Sequence, residues 1–419
     1  MTKDDTGKPR LTEAEKIARR AKNAANRARR EAKAAARLAA AEPSKPAGIG
    51  KKSLTKTPDK VESNPKPRAA LPQSAKTGRK RQIADITNNK PAAPFNILVV
   101  AQSGRLEYEA LLFAESLRRN APDWPGRLIV AEPRPEAAWA NTATSISPQV
   151  RDALEARGAE FTPFTARHFG AAYPHGNKIE ALSLLPAGEN FVFLDSDTLI
   201  TGPIDRVGFD FSRPSASMRR EGTWPKPPLY GPGYADIWEA LYRRFGLDFA
   251  TSLDRDQPDE HWERYLYFNA GWFFGSDPKI FGQRYLDWAL AIRDDPGDAL
   301  ASQELFPWLD QIVLPLVIHS LGGGRPGPEL AGLDGFATCH WRNLPLLYAR
   351  ESEIAVDALE SAAEAPDIKA LLQGWEPAAR LIYEGNGRNA LRPAIDRERL
   401  PLREQGLRKQ IKRLGWWLL

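Results

Sequence analysis

The 419-residue sequence has one cysteine, two methionines and five histidines. With Cys339 alone, no internal disulfide can close and no thiolate cluster can hold a metal, so a reducing cytoplasm suits the chain. No apolar run approaches the roughly 18 residues that cross a bilayer. The longest candidates, such as Ile312–Ile318, suit a buried helix. The start lacks the apolar core of a signal peptide, so secretion by that route is not expected. No glycine fingerprint joins a strand to a helix, and there is no P-loop, which argues against dinucleotide oxidoreductases and kinases. A G-x-S-x-G nucleophile elbow is also missing.

What is present divides near residue 90. Residues 1–90 hold 24 Lys/Arg against 9 Asp/Glu, a balance of +15, whereas the remaining 329 carry 35 against 44, a balance of −9. Thr12–Glu42 is rich in Ala, Arg, Lys and Glu, all good helix formers, yet has no large apolar residues at helical spacing to bury. Residues 43–94 show no periodicity and read as a disordered linker. The segment 1–94 is thus a basic helix and linker. It serves either as a solubilising tail or as an arm for an anionic surface or acidic protein, with nucleic acid not expected.

Patterning of a globular kind starts at Phe95. Short β-branched runs, Asn96–Ala101, Arg127–Ala131, Glu160–Phe164 and Asn190–Leu194, alternate with helical stretches. That alternation predicts an α/β fold with a mainly parallel sheet covered on both faces. Ligands of such sheets bind beyond the carboxyl ends of the strands, which singles out Gln102–Arg105 and Asp195–Thr198. Tyr265–Gly275 reads as one or two strands, and a further strand lies within Ala337–Leu347. Helices are expected at Ile237–Phe249, Pro278–Ile292, Gln303–Leu321, Ile368–Tyr383 and Pro401–Leu419. The division that follows is 1–94, a catalytic domain at 95–350 and a helical extension at 351–419.

The central feature is Phe191–Thr198, FVFLDSDT: a buried strand that ends on two carboxylates, Asp195 and Asp197, with Ser196 between them. Burying unpaired carboxylates is costly, and a hard divalent ion with oxygen ligands offsets that cost while also binding diphosphate oxygens. A second such triplet, Asp254-Arg255-Asp256, sits in a polar stretch and reads as a solvated loop.

In order along the chain, Asn177-Lys178-Ile179, FVFLDSDTLITGPID, FNAGWFF and Asp310-Gln311 resemble the glycogenin-like and galactosyltransferase-like nucleotide-sugar transferases. The resemblance covers about residues 95–350. It implies a GT-A-like, Rossmann-related fold, a mixed and mainly parallel sheet flanked by helices. It also implies that Asp195 and Asp197 coordinate Mn²⁺ or Mg²⁺ bridging the donor's phosphates, with Lys178 on donor phosphate or sugar oxygens. Ala101, Gln102 and Ser196 complete the donor face, while Asn269, Asp310 and Gln311 line the sugar and acceptor side. Read as residues alone, Lys178 is equally a snorkelling surface lysine, Asn269 a turn residue, and Asp310 and Gln311 solvent-facing. Relatives have a base-stacking tyrosine after the first strand, where Tyr108 is out of register. They take a third metal ligand from a late His-x-Gly histidine, whereas this chain offers His340 in CHWRN or His319, each equally a buried core residue. His175 is a phosphate-contact or turn residue. The long insertion between Asp197 and Asn269, with Trp224, Pro225 and Tyr230, reads as a specificity flap. Trp224 and Trp341 are candidates for stacking on a sugar ring, and Trp272 for the core.

The expected activity is metal-dependent transfer of a sugar from a nucleoside-diphosphate donor to an acceptor hydroxyl with retention, in surface-glycan synthesis. Its acceptor is a glycan, lipid or protein. Asp310 is the candidate base should the reaction invert. The alternatives are a nucleotidyltransferase making an activated sugar, or a noncatalytic protein binding nucleotide-sugars or an anionic surface. Arg403–Leu419 sets five basic residues beside Leu407, Ile411, Leu414 and a terminal Trp-Trp-Leu-Leu. That make-up suits a helix lying in a membrane interface, which would place the protein at the inner face of the membrane, or a helix docked on the body. Removing residues 1–90 should leave the melting temperature and donor hydrolysis nearly unchanged, because that segment has no core to lose. A markedly lower melting temperature for the truncated protein would show that the core extends upstream.

Overall fold

The computed structural model describes residues 91–220 and 222–419. The helix and linker expected upstream of residue 91 lie outside the described residues. Described residues belong to one compact unit, and none of their helices is long and apolar enough to cross a membrane.

From Asn96 the chain runs through β1 (Asn96–Val100), α1 (Arg105–Asn120), β2 (Leu128–Pro133), α2 (Pro148–Glu155) and β3 (Ala159–Phe164). A short helix α3 (Asn177–Ala181) leads to β4 (Phe191–Leu194), β5 (Thr198–Ile200) and β6 (Ala216–Ser217). Then come α4 (Tyr234–Arg244), β7 (Asn269–Gly275), α5 (Pro278–Asp294), α6 (Leu309–Ser320) and β8 (Thr338–His340). Helices α7 (Leu344–Arg350), α8 (Glu353–Ala363), α9 (Pro366–Leu372) and α10 (Glu404–Arg413) close the chain.

Six strands make one sheet in the order β3-β2-β1-β4-β7-β6. The first four are parallel, and β7 returns antiparallel beside β4, with β6 antiparallel outside it. The expected α/β architecture with a mixed, mainly parallel sheet is therefore present, and the stretch 265–275 holds a single strand that starts at Asn269. Side chains alternate across it with period two, which divides the interior. Ile97, Val99, Val192, Leu194, Trp272 and Phe274 pack toward α1 and α2. Leu98, Phe191, Phe193 and Phe273 pack toward α3, α5 and α6. Phe193 and Phe273 are register partners and stack at 4.8 Å between ring centroids, an aromatic pair that pins β7 against β4. Trp272 is a core residue, as expected.

A second sheet, not anticipated, pairs β5 with β8 antiparallel. Three residues each is too short to carry a periodic signal. Several expected helices shorten: the one at 303–321 starts at Leu309, and the one at 368–383 breaks after Leu372.

The helices beyond residue 350 share the core of the sheet. Val356, Leu359, Ile368, Leu407 and Ile411 are all buried in the cluster that holds Ile97 and Leu117. Trp416, Trp417 and Leu418 pack partly buried on the same cluster. Arg380 lies over the Trp416 ring, and Arg408 and Lys412 over Trp417. The C-terminal helix thus spends its apolar face on the body. This corrects the expectation of a face free to enter a membrane. The correction has an electrostatic counterpart in Glu404, buried at the start of α10, which takes Arg342 at 3.0 Å, Arg350 at 2.8 Å and Arg408 Nε at 2.6 Å. Burial pushes its carboxyl up, but the guanidinium groups of Arg342, Arg350 and Arg408 outweigh that and bring it down to about 2. A carboxyl depressed on folding stabilises above its ordinary value of 4.5, and that contribution fades as pH falls toward 2. The Glu404→Gln variant should therefore melt earlier than wild type at pH 7. The gap should close between pH 4.5 and about 2, as thermal melts across that range will report.

Candidate active site

The apolar run FVFL buries β4 on both faces, and the chain leaves the sheet at Asp195. The Asp195 amide still donates to Gly271 O of β7 at 2.8 Å. Two residues on, the Asp197 carbonyl accepts the Trp341 amide at 2.9 Å, and Thr198 is the register partner of His340. The two carboxylates therefore straddle the junction of the two sheets, Asp195 held by β7 and Asp197 by β8. Ser196, between them, faces the other way and donates to Glu109 Oε2 at 3.2 Å.

His340 Nε2 lies 3.0 Å from Asp197 Oδ1 and 3.9 Å from Asp195 Oδ2. One ligand atom from each of the three residues falls within 4.8 Å of the others. Lys178, on α3, reaches the cluster from the opposite side: its Nζ is 2.8 Å from Asp195 Oδ1 and donates to Ala270 O at 3.0 Å. The lysine is buried, so the snorkelling reading fails. Its pKa is raised: burial lowers it, but Asp195 and Asp310 outweigh that. Burial likewise pushes the Asp197 carboxyl up, while His340, Arg105 and Arg342 pull it well below the usual carboxylate range. At neutral pH the strand end thus presents an ionised Asp197 facing an imidazole.

Asp310, at the start of α6, is buried rather than solvent-facing. Its Oδ1 accepts the Tyr173 hydroxyl at 2.6 Å and its Oδ2 lies 3.7 Å from Lys178 Nζ. Gln311 is half-buried and accepts the Tyr267 hydroxyl at 2.8 Å. Asn269 is buried, its Oδ1 accepting the Gly271 amide at 2.7 Å. Ala101 is buried, its amide spent on Ala131 O, and Gln102 faces Asn177 Nδ2 at 3.5 Å. Asp195, Asp197, His340, Lys178 and Asp310 are brought together, with Asn269 adjoining through Gly271.

Other candidates fall elsewhere. His319, at the far end of α6, contacts Thr251 at 3.2 Å and the Tyr242 ring. His175 is exposed with its ring on Tyr173. Trp224 and Trp341 are fully buried, which corrects the sugar-stacking expectation. Trp224 packs edge-on against Trp238 and donates to Glu304 O. Among the described large apolar residues of that insertion, only Leu229 and Tyr230 stand out in solvent, 89% and 90% exposed. Tyr108 stacks on Trp375 at 5.5 Å.

One residue escaped the sequence reading. Glu109 on α1 is fully buried, with Oε1 3.1 Å from Arg105 but hydrogen-bonded to nothing among the described residues. Burial first, then Asp197, push its carboxyl well above the usual carboxylate range, against the pull of Arg105 and Ser196. The available signal was its position, three and four residues before the core residues Leu112 and Phe113.

The chain matches the Rhodobacterales glycosyltransferase domain over residues 97–322, more than half its length, and belongs to that family. It is a glycosyltransferase. Among curated proteins none matches. Of solved structures, it is similar to the galactosyltransferase LgtC in complex with donor and acceptor sugar analogues: 15% identity, covering 67% of this chain and 99% of that one, TM-score 0.41. It is also similar to the WbbM bifunctional glycosyltransferase, at 13% identity over 67% of this chain and 51% of that one, TM-score 0.40.

His340 fits against β7 only because residue 271 is glycine. A Cβ built there would stand 2.3 Å from His340 Nδ1 and 2.8 Å from Asn269 Oδ1. Gly271→Ala should cost about 1–3 kcal/mol of stability. In a His340→Ala background the same change should cost clearly less, because the clashing ring is gone. Equal costs in both backgrounds, measured by urea unfolding, would place the imidazole elsewhere.

Proposed function

We propose that this glycosyltransferase uses a nucleoside-diphosphate sugar and a divalent metal held by Asp195, Asp197 and His340. The observation that carries the reading is the convergence of two carboxylates and one imidazole at the end of β4, with ligand atoms within 4.8 Å. Two hard oxygen donors and an imidazole suit Mn²⁺ or Mg²⁺, with Mn²⁺ the better match for the nitrogen. Bound there, the ion would supply Lewis-acid neutralisation of charge on the departing nucleoside diphosphate.

The remaining chemistry belongs to the chain. Lys178, raised in pKa and fixed by Asp195, Asp310 and Ala270 O, offers a positive charge on the donor side that needs no reorganisation. Ala101, Gln102 and the Ser196 backbone form the donor face at the carboxyl ends of β1 and β4. Asn269 and Asp310 form the floor of the sugar site, and half-buried Gln311 faces the acceptor. Asp310 is buried, accepts from Tyr173 and sits near Lys178, so it is poorly placed to take a proton from an incoming hydroxyl. That arrangement supports retention over inversion. The acceptor is a glycan, and the C-terminal helix, docked on the body, has no part in this reading.

Calorimetry with Mn²⁺ and a panel of nucleotide-sugars tests it. Asp195→Asn and Asp197→Asn should each abolish Mn²⁺-dependent donor binding while keeping the wild-type melting profile. His340→Ala should weaken Mn²⁺ affinity by at least about tenfold. Unchanged donor affinity in both aspartate variants would sink the site assignment.

A further inference from the structure

An arginine without a counter-ion among the described residues stands on the acceptor flank. Arg220 follows β6, three residues beyond Ser217, the register partner of Asn269. Its guanidinium carbon lies 4.5 Å over the Trp262 ring and 6.0 Å from that of Tyr267. Nε and Nη1 are buried and have no hydrogen-bond partner among the described residues. Nor does any described carboxylate lie within ion-pair distance of it.

The surroundings do not supply the missing charge. Glu263 acts on Arg220 only from a distance. Arg325 adds positive charge on the same side, spending its own N–H groups on the carbonyls of Ser252 at 2.8 Å and Arg264 at 3.0 Å. Burial lowers the Arg220 pKa to about 10, so it stays charged at neutral pH. Holding buried N–H donors of a charged group without partners is costly, and a guanidinium is the side chain best matched to a carboxylate or phosphate. Its place is also telling. Tyr267, beneath the guanidinium, donates its hydroxyl to Gln311, next to Asp310.

We propose that Arg220, backed by Trp262, holds an anionic group of the acceptor, so that the acceptor is a sugar bearing a carboxylate or a phosphate. The proposal rests on the transferase reading above for the placement of the acceptor, though not for the anion site itself.

A glycan array carrying matched neutral, uronate and phosphorylated sugars, probed with the labelled full chain, tests it without turnover. Wild type should bind the charged sugars at least about tenfold over their neutral counterparts. Signal on uronates alone, on phosphates alone, or on both identifies the anion. Arg220→Gln should lose about ten- to hundredfold of that signal at an unchanged melting temperature. If Arg220→Gln melts early, Arg220→Lys decides: it should keep the preference for charged sugars at reduced signal, because an ammonium lacks the bidentate fork. Neutral and charged sugars bound alike, or a wild-type signal in either variant, would overturn the anion site. Mn²⁺-dependent donor hydrolysis by wild type, measured alongside, separates the two ideas. Hydrolysis without an anionic preference removes the anion site and leaves the transferase standing. An anionic preference without hydrolysis of any donor keeps the anion site and removes the proposed Mn²⁺ and nucleotide-sugar reading.

Discussion

Two carboxylates at the end of one buried strand repel each other, and the rest of the site is arranged around relieving that repulsion. Lys178 reaches Asp195 from α3, and His340 reaches Asp197 from β8. The lysine comes from the helix that precedes β4 and the histidine from a strand more than 140 residues later. The carboxylates stay partly open, with side-chain exposures of 27% for Asp195 and 15% for Asp197. The pair is thus held by ion pairs on both flanks and still reaches solvent.

Beneath this pair lies a third carboxyl group, that of Glu109. Glu109 is fully buried under Asp195 and Asp197, and burial together with the charge of Asp197 pushes its pKa well up. Asp310 sits behind Lys178 and is tied to Tyr173, so it steadies the lysine rather than opening onto solvent. The sheet makes these positions rigid. Alternating side chains give each strand two cores, and the aromatic stack of Phe193 on Phe273 locks the two strands that carry Asp195 and Asn269.

The C-terminal helices complete the same structure. α7 and α10 are joined through Glu404 and its three arginines, and Arg157 ties α9 to α1 through Glu115 at 2.7 Å and Asp367 at 2.7 Å. Arg342, one of the residues that lowers the Asp197 pKa, is itself bonded to Glu404. Arg342 thus lies between the docked last helix and Asp197. The insertion between Asp197 and Asn269 leaves Leu229 and Tyr230 in solvent, while Trp224 and Gln303 fasten it to the body.

The sequence by itself determined the strand–helix alternation, the sheet class, and the two carboxylates at the end of β4. These are local: a buried strand announces itself by its run of apolar residues, and charges at its end stand out against that run. Lys178, Asn269 and Asp310 were legible through motif order, although their burial was not. Tertiary structure alone decided which histidine faces the carboxylates, because the β5–β8 pairing spans three residues and has no periodic signal. It decided that Trp224 and Trp341 are core, since a tryptophan's apolar ring suits an interior and a sugar face equally. It decided too that the terminal helix is a clasp. An amphipathic pattern records that one face is apolar, and only the packing partner tells what that face is buried against.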